Sequence, residues 1–144
     1  MSEGRRWHLR FVVEGAAVPK QSFRLDRFGG KYQDERVVAW QSVVAWEAVR
    51  AMRAVGLERT RRPLGVSLVF YLPSRRRVDA DNLSKGVLDA LNGVLWEDDR
   101  QVMDLRIRKR LPPIRSPRKR GEGGEVGRVE ISVWELGDDA ECGA

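Results

Sequence analysis

The chain has 144 residues, 42% hydrophobic and 33% charged, with a formal net charge of +6. That length suits one domain burying roughly 68–70% of the surface its unfolded chain exposes, so a core forms without covalent staples. The single cysteine, Cys142, excludes an internal disulfide and a cysteine-built metal site. No apolar run approaches the roughly 18 residues of a membrane span.

The mixed opening run Ser2-Glu3-Gly4-Arg5-Arg6 does not read as a secretory leader, so a cytoplasmic setting with no membrane partner is expected. Charge is unevenly spread. Residues 105–120 carry eight Lys or Arg and no acid, whereas residues 121–144 carry seven acids and one Arg. The basic block reads as a nucleic-acid patch or as a solvated loop.

From the N-terminus, Trp7 to Val13 alternates apolar residues with His8 and Arg10 and reads as a strand, ended by Gly15 and Pro19. His8 belongs on its polar face, where a structural role outweighs general-base chemistry. Between Val18 and Tyr32, Lys20, Arg24, Arg27 and Lys31 interleave with Phe23, Phe28 and Tyr32 around Gly29-Gly30. Cations hold phosphates and aromatic faces stack bases, so the segment suits nucleic acid. A hairpin whose aromatics complete the core is the competing reading.

Asp34 to Ala54 is expected to be a helix, capped by Asp34 and ended by Gly56, with Val37, Val38, Trp40, Val44, Ala45, Ala48 and Met52 near helical spacing. Trp40 and Trp46 are expected to anchor the core or a subunit interface. Leu64 to Leu72 places Leu64, Val66, Leu68, Phe70 and Leu72 on one face of a strand.

The chain then reaches Arg75-Arg76-Arg77-Val78-Asp79-Ala80-Asp81-Asn82-Leu83-Ser84-Lys85. Two carboxylates about 4 Å apart at an effective dielectric near 20 repel by roughly 4 kcal/mol. A cluster of them therefore needs a cation, and a hard metal such as Mg²⁺ takes such oxygen ligands. Adjacent arginines imply a phosphodiester substrate, because the guanidinium fork binds phosphate bidentately. Asp79 and Asp81, two apart on an extended connection, are expected to face one side as two ligands of one metal.

A second helix is expected over roughly Asn82 to Leu95, with Leu83, Val87, Leu88, Leu91, Val94 and Leu95 as its apolar stripe. Lys85, Asp89 and Asn92 share its polar face, and a plain Lys85–Asp89 ion pair is the alternative to a catalytic Lys85. Trp96-Glu97-Asp98-Asp99 returns carboxylates toward the site. Val102 to Arg110 reads as a strand with a basic face, residues 112–126 as a flexible basic, Gly-rich loop, Val129 to Val133 as a last strand, and 137–144 as an acidic tail.

The run Arg77-Val-Asp79-Ala-Asp81-Asn82-Leu83-x-Lys85, then Leu88-Asp89-Ala90-Leu91, then Trp96-Glu-Asp98-Asp99-x-Gln101-Val102, resembles the RusA-type Holliday-junction resolvases over about 30 positions. Val18-Pro19-Lys20-Gln21-Ser22-Phe23-Arg24 resembles one of the two forms of that family's early loop. The resemblance implies a single α+β domain over residues 1–136, with a mixed sheet of four to five strands packed with two main helices. It implies a homodimer that nicks opposing strands of four-way DNA junctions with Mg²⁺ (or Mn²⁺), in recombination and repair.

Carried over by motif, Asp79, Asp81 and Asp99 are the expected metal-binding carboxylates and Lys85 assists catalysis, with Asp89 in support. Expected DNA contacts are Lys20, Arg24, Arg75, Arg76, Arg77, Asn82, Arg106, Arg108 and Lys109. The competing reading is a non-catalytic binder of branched or single-stranded DNA, whose aspartates serve as helix caps and ion pairs. A restriction-type nuclease is disfavoured, because no Asp-x-Lys or Glu-x-Lys triplet occurs.

Overall fold

The structure is a computed structural model and describes residues 7–20, 24–25, 31–32, 34–114 and 126–137. The expected Gly29-Gly30 turn, the Arg24 side chain, residues 115–125 of the basic loop and the tail beyond 137 lie outside the described residues.

Four strands form one sheet: β1 (His8–Glu14), β4 (Leu64–Tyr71), β5 (Val102–Arg110) and β6 (Arg128–Glu135), in the order β1-β6-β4-β5. β6 runs antiparallel to both β1 and β4, whereas β4 and β5 are parallel. A parallel neighbour requires a crossover, and helix α2 (Ala80–Leu91) supplies it. β2 (Arg24–Leu25) and β3 (Lys31–Tyr32) pair as a short antiparallel ribbon. These elements make the α+β architecture expected from the sequence.

Alternation sorts the sheet into two faces. Leu9, Phe11 and Val13 of β1, Val66, Leu68 and Phe70 of β4, and Val129, Ile131 and Val133 of β6 form a buried face. Helix α1 (Glu35–Val55) covers it with Trp40, Val44, Ala48 and Met52, and α2 covers it with Leu83, Val87 and Leu91. Among the described residues no helix covers the opposite face. There Trp134 lies flat across Gly65, where an added Cβ would stand 2.2 Å from its ring.

The caps of α1 are as expected. Asp34 accepts the Arg36 N–H, and Gly56 closes the helix at φ 70°, a left-handed conformation that glycine adopts without strain. The stripe differs at two positions. Val38 is 44% exposed and Trp46 is 63% exposed, so Trp46 is not a core anchor. At 100° per residue both point away from the arc shared by Val37, Trp40, Val44 and Ala48.

The second helix begins and ends earlier than expected, at Ala80 and Leu91 rather than Asn82 and Leu95. Asn92 takes an extended ψ of 125° and Gly93 a positive φ of 81°, which turns the chain. Leu95 still reaches the core from that turn, together with Trp96, so the apolar character of Leu95 signalled burial correctly and helix wrongly.

Candidate active site at the head of the second helix

Parallel β4 and β5 end on the same edge of the sheet, and α2 starts from that edge. The connection from β4 therefore delivers Arg75, Arg76, Arg77 and Asp79 to the C-terminal ends of two strands, the usual position of a site in a sheet with crossover helices. The Arg75 guanidinium donates to the Pro112 carbonyl just beyond β5, and Lys109 Nζ donates to the Val78 carbonyl at 2.8 Å. These two bonds tie the arginine loop to the end of β5. Arg76 and Arg77 are exposed beside them.

Asp79 is the N-cap residue of α2, with φ −72° and ψ 129°, yet its side chain makes no capping hydrogen bond. Asp81 sits inside the first turn, exposed, with its carboxylate 3.1 Å from Lys85 Nζ. The expectation of two ligands on one extended segment is thus corrected: a helix starts between them, and rotation about its axis replaces the shared strand face. The expected Lys85–Asp89 alternative is corrected too, because Lys85 pairs backwards with Asp81. Both carboxylates lie at the positive end of the helix, where negative charge is favoured.

Asp89 pairs instead with Lys20, which arrives on the segment after β1. Lys20 N–H donates to the Asn82 carbonyl at 3.0 Å, and a Cβ on Gly86 would make only ordinary contact with the Val18 carbonyl oxygen at 3.4 Å. Lys20 and Asn82 therefore meet along the flank of α2. From Asp81 to Asp89 the helix rises about 12 Å.

Asp99 opens a short 3₁₀ turn before β5. Its Oδ1 accepts the Trp96 indole N–H at 2.8 Å. Burial pushes its carboxyl above the ordinary range, opposed by the Trp96 hydrogen bond, while the charges of Asp89 and Asp98 raise it further and Lys20 lowers it. Asp99 thus belongs electrostatically with Asp89 and Lys20. Asp98 plays a different part, accepting the Arg100 N–H in a capping box completed by Gln101, and the hydrogen bonds from Arg100 hold its carboxyl below the ordinary range.

Oxygen donors of this kind fit a hard divalent cation. Their arrangement is less compact than the motif implies. Among the described residues, no three His, Cys, Asp or Glu side chains are placed to share one ion.

The expected DNA contacts divide by strand alternation. Lys109 shares the face of Phe70 and reaches the arginine loop, whereas Arg106 and Arg108, partnered with Ser67 and Val69, stand on the uncovered face. There Arg106 pairs with Asp104 at 3.1 Å and lies 5.5 Å from the centroid of Trp134. Sequence reading missed Arg110, on the same uncovered face, although strict alternation from Arg106 and Arg108 places it there. It also missed the Trp96–Asp99 bond, which a spacing of three residues allowed but did not signal.

No helix among the described residues is long and apolar enough to cross a membrane. Crossover junction endodeoxyribonuclease RusA of Escherichia coli K12 is 35% identical over 78 residues, 54% of this chain and 56% of that protein. The protein of the same name from Enterobacteria phage 82 is 35% identical over an equal span, and that of Escherichia coli O139:H28 is 33% identical. The chain spans about half the length of the curated relatives it matches. The family model for endodeoxyribonuclease RusA matches residues 14–133, from the end of β1 into β6, and on that extent the chain belongs to the RusA family.

Proposed function

We propose that this protein is a structure-selective endodeoxyribonuclease that resolves four-way DNA junctions by paired, symmetric nicking, acting as a homodimer in recombination and repair. Asp79 carries the reading. Asp34 and Asp98 occupy cap positions and use their side chains to cap, whereas Asp79 occupies one and does not. A carboxylate at the end of two parallel strands, beside three arginines and free of capping duty, is better explained by chemistry than by helix stability.

Asp79, Asp81 and Asp99 would have to draw together to hold Mg²⁺ or Mn²⁺, which there would polarise a phosphoryl oxygen and promote water as nucleophile. The protein's own cations do the rest. Arg76 and Arg77 grip phosphates flanking the scissile bond, and Lys85 offsets negative charge developing on the phosphoryl oxygens. Lys109, fixed to the Val78 carbonyl, holds the arginine loop against β5. Two nicks on a pseudo-two-fold junction call for a two-fold pair of subunits.

The test is cleavage of an end-labelled four-way junction with Mg²⁺ by wild type and Asp81→Asn. Paired symmetric nicks that vanish in the variant while junction binding persists are the expected result. Equal binding by both proteins with no cutting by either would make the chain a DNA-binding module, and cutting by Asp81→Asn at the wild-type rate would remove Asp81 from the chemistry.

A further inference from the structure

The Gln101 side chain does more than complete a local cap. Its Oε1 accepts the Asp98 N–H at 3.0 Å, which closes the capping box, and also the Glu97 N–H at 2.8 Å. Its Nε2 donates to the Thr60 carbonyl at 2.9 Å and to the Arg62 carbonyl at 3.1 Å, across 41 and 39 positions of sequence. A side-chain amide has two donors and two acceptor lone pairs, so its whole capacity is engaged. The capping box uses only the Asp98 bond. Every partner is a backbone group of fixed polarity, so glutamate, of the same length, would lack the donors, and methionine would lack donors and acceptor alike.

The far end of this staple is firm. Thr60 and Arg62 lie on the linker between α1 and β4, which is tied to the ends of two strands. The Trp7 indole N–H, just before β1, donates to the Glu58 carbonyl at 2.8 Å, and the Leu136 N–H, just after β6, donates to the Pro63 carbonyl at 3.0 Å. The near end is the turn Trp96-Glu97-Asp98-Asp99, where the Trp96 indole occupies Asp99 Oδ1. With Oδ1 taken, the direction of Oδ2 follows from where the backbone of the turn stands, and Gln101 sets that.

We infer that Gln101 is a positioning residue for the reaction: by tying the Asp99 turn to the linker ahead of β4, it fixes where the Asp99 carboxylate stands. The inference rests on the reading of Asp99 as a metal-binding carboxylate. Gln101 itself touches neither metal nor DNA in this role.

Gln101→Met, which keeps the length and removes these bonds, tests it. Single-turnover cleavage of a four-way junction at saturating protein, well below the melting temperature, should slow about 10- to 100-fold, the usual cost of deleting a group that orients a metal ligand. Half-maximal cleavage should need more Mg²⁺, and junction affinity should stay at the wild-type value. A loss of stability alone would leave the folded protein cutting at the wild-type rate. Gln101→Asn, which keeps the amide on a shorter side chain, should fall between the two and replaces Gln101→Met if that variant does not fold. The Trp96 indole N–H resonance needs neither metal nor DNA. Both variants should shift it and speed its exchange with solvent, while the Trp40 and Trp134 indole resonances stay in place.

A folded variant with the wild-type rate and Mg²⁺ requirement, or an unmoved Trp96 resonance, would each overturn the inference. A wild type that never cuts would reject the nuclease reading instead, and the Trp96 resonance would then decide alone whether Gln101 places Asp99.

Discussion

The Trp96 indole N–H donates to Asp99 Oδ1 at 2.8 Å from a ring with no exposed surface. A buried side chain thus holds a partly buried carboxylate that feels the charges of Asp89 and Lys20. Because burial raises the folded-state value of Asp99 above its ordinary 3.8, the folded protein takes up this proton more readily than the unfolded chain. The favourable contribution is therefore present below the ordinary value and is lost as pH rises through the raised one. At neutral pH the ionised group lowers stability.

Asp99→Asn is accordingly expected to raise the melting temperature at pH 7, while the Asn oxygen keeps the Trp96 bond. The gain should disappear below about pH 3.8, where wild-type Asp99 is itself neutral. Junction cleavage should be lost. Thermal melts across pH read the first two effects, and a melting temperature unchanged or lowered at pH 7 would assign Asp99 a structural role.

Lys85 and Asp81 form an exposed pair one turn apart, with side chains 58% and 74% accessible. Such pairs stabilise a helix by about 0.2–0.5 kcal/mol. Lys85→Met should thus lower unfolding free energy by no more than about 0.5 kcal/mol while slowing junction cleavage roughly 100-fold or more, the usual cost of deleting a group that stabilises transition-state charge. Single-turnover cleavage beside urea denaturation separates the two. A slowing that merely tracked a large stability loss would reduce Lys85 to a helix-supporting residue.

The fold was largely legible, and the exceptions have physical causes. Alternation over Leu64 to Leu72 and Val102 to Arg110 located β4 and β5, and Asp34 and Gly56 framed α1, because period and capping are local properties. The start of α2 was not legible to within two residues, since Asp79, Asp81 and Asn82 are all competent caps. That small uncertainty altered the predicted geometry of the site, because it decides whether Asp79 and Asp81 lie on a strand or astride a helix start. Lys20 and Asp89, 69 positions apart, were brought together where the segment after β1 packs along α2, and no local pattern encodes such a contact.

Gly65 is expected to tolerate no side chain. Its backbone has ordinary negative φ, so the obstacle is Trp134, whose ring atoms would stand 2.2–2.5 Å from a new Cβ. Gly65→Ala should destabilise by roughly 1–3 kcal/mol through overpacking. Adding Trp134→Ala should recover most of that loss, a coupling that a double-mutant cycle in urea measures. Additive effects would show that the ring swings aside and that the close approach does not restrain it.

Arg108 and Arg110 stand on the uncovered face of the sheet, opposite the helices, but their strand ends beside the loop bearing Arg75, Arg76 and Arg77. Neither makes an ion pair among the described residues, in contrast to Arg106 with Asp104 and Arg128 with Glu130. A duplex arm leaving the arginine loop and curving over the end of β5 would meet them as phosphate contacts. Each phosphate neutralised contributes about 0.9 to the slope of log affinity against log salt. The double variant Arg108→Ala/Arg110→Ala is therefore expected to bind four-way junctions more weakly, with a salt slope shallower by about 2. Its cleavage rate at saturating enzyme should match wild type, because neither residue neighbours Asp79 or Asp81. Fluorescence anisotropy from low to moderate salt reads the slope. A slope equal to wild type would confine bound DNA to the helix side, with Arg76, Arg77 and Lys20 as its cations.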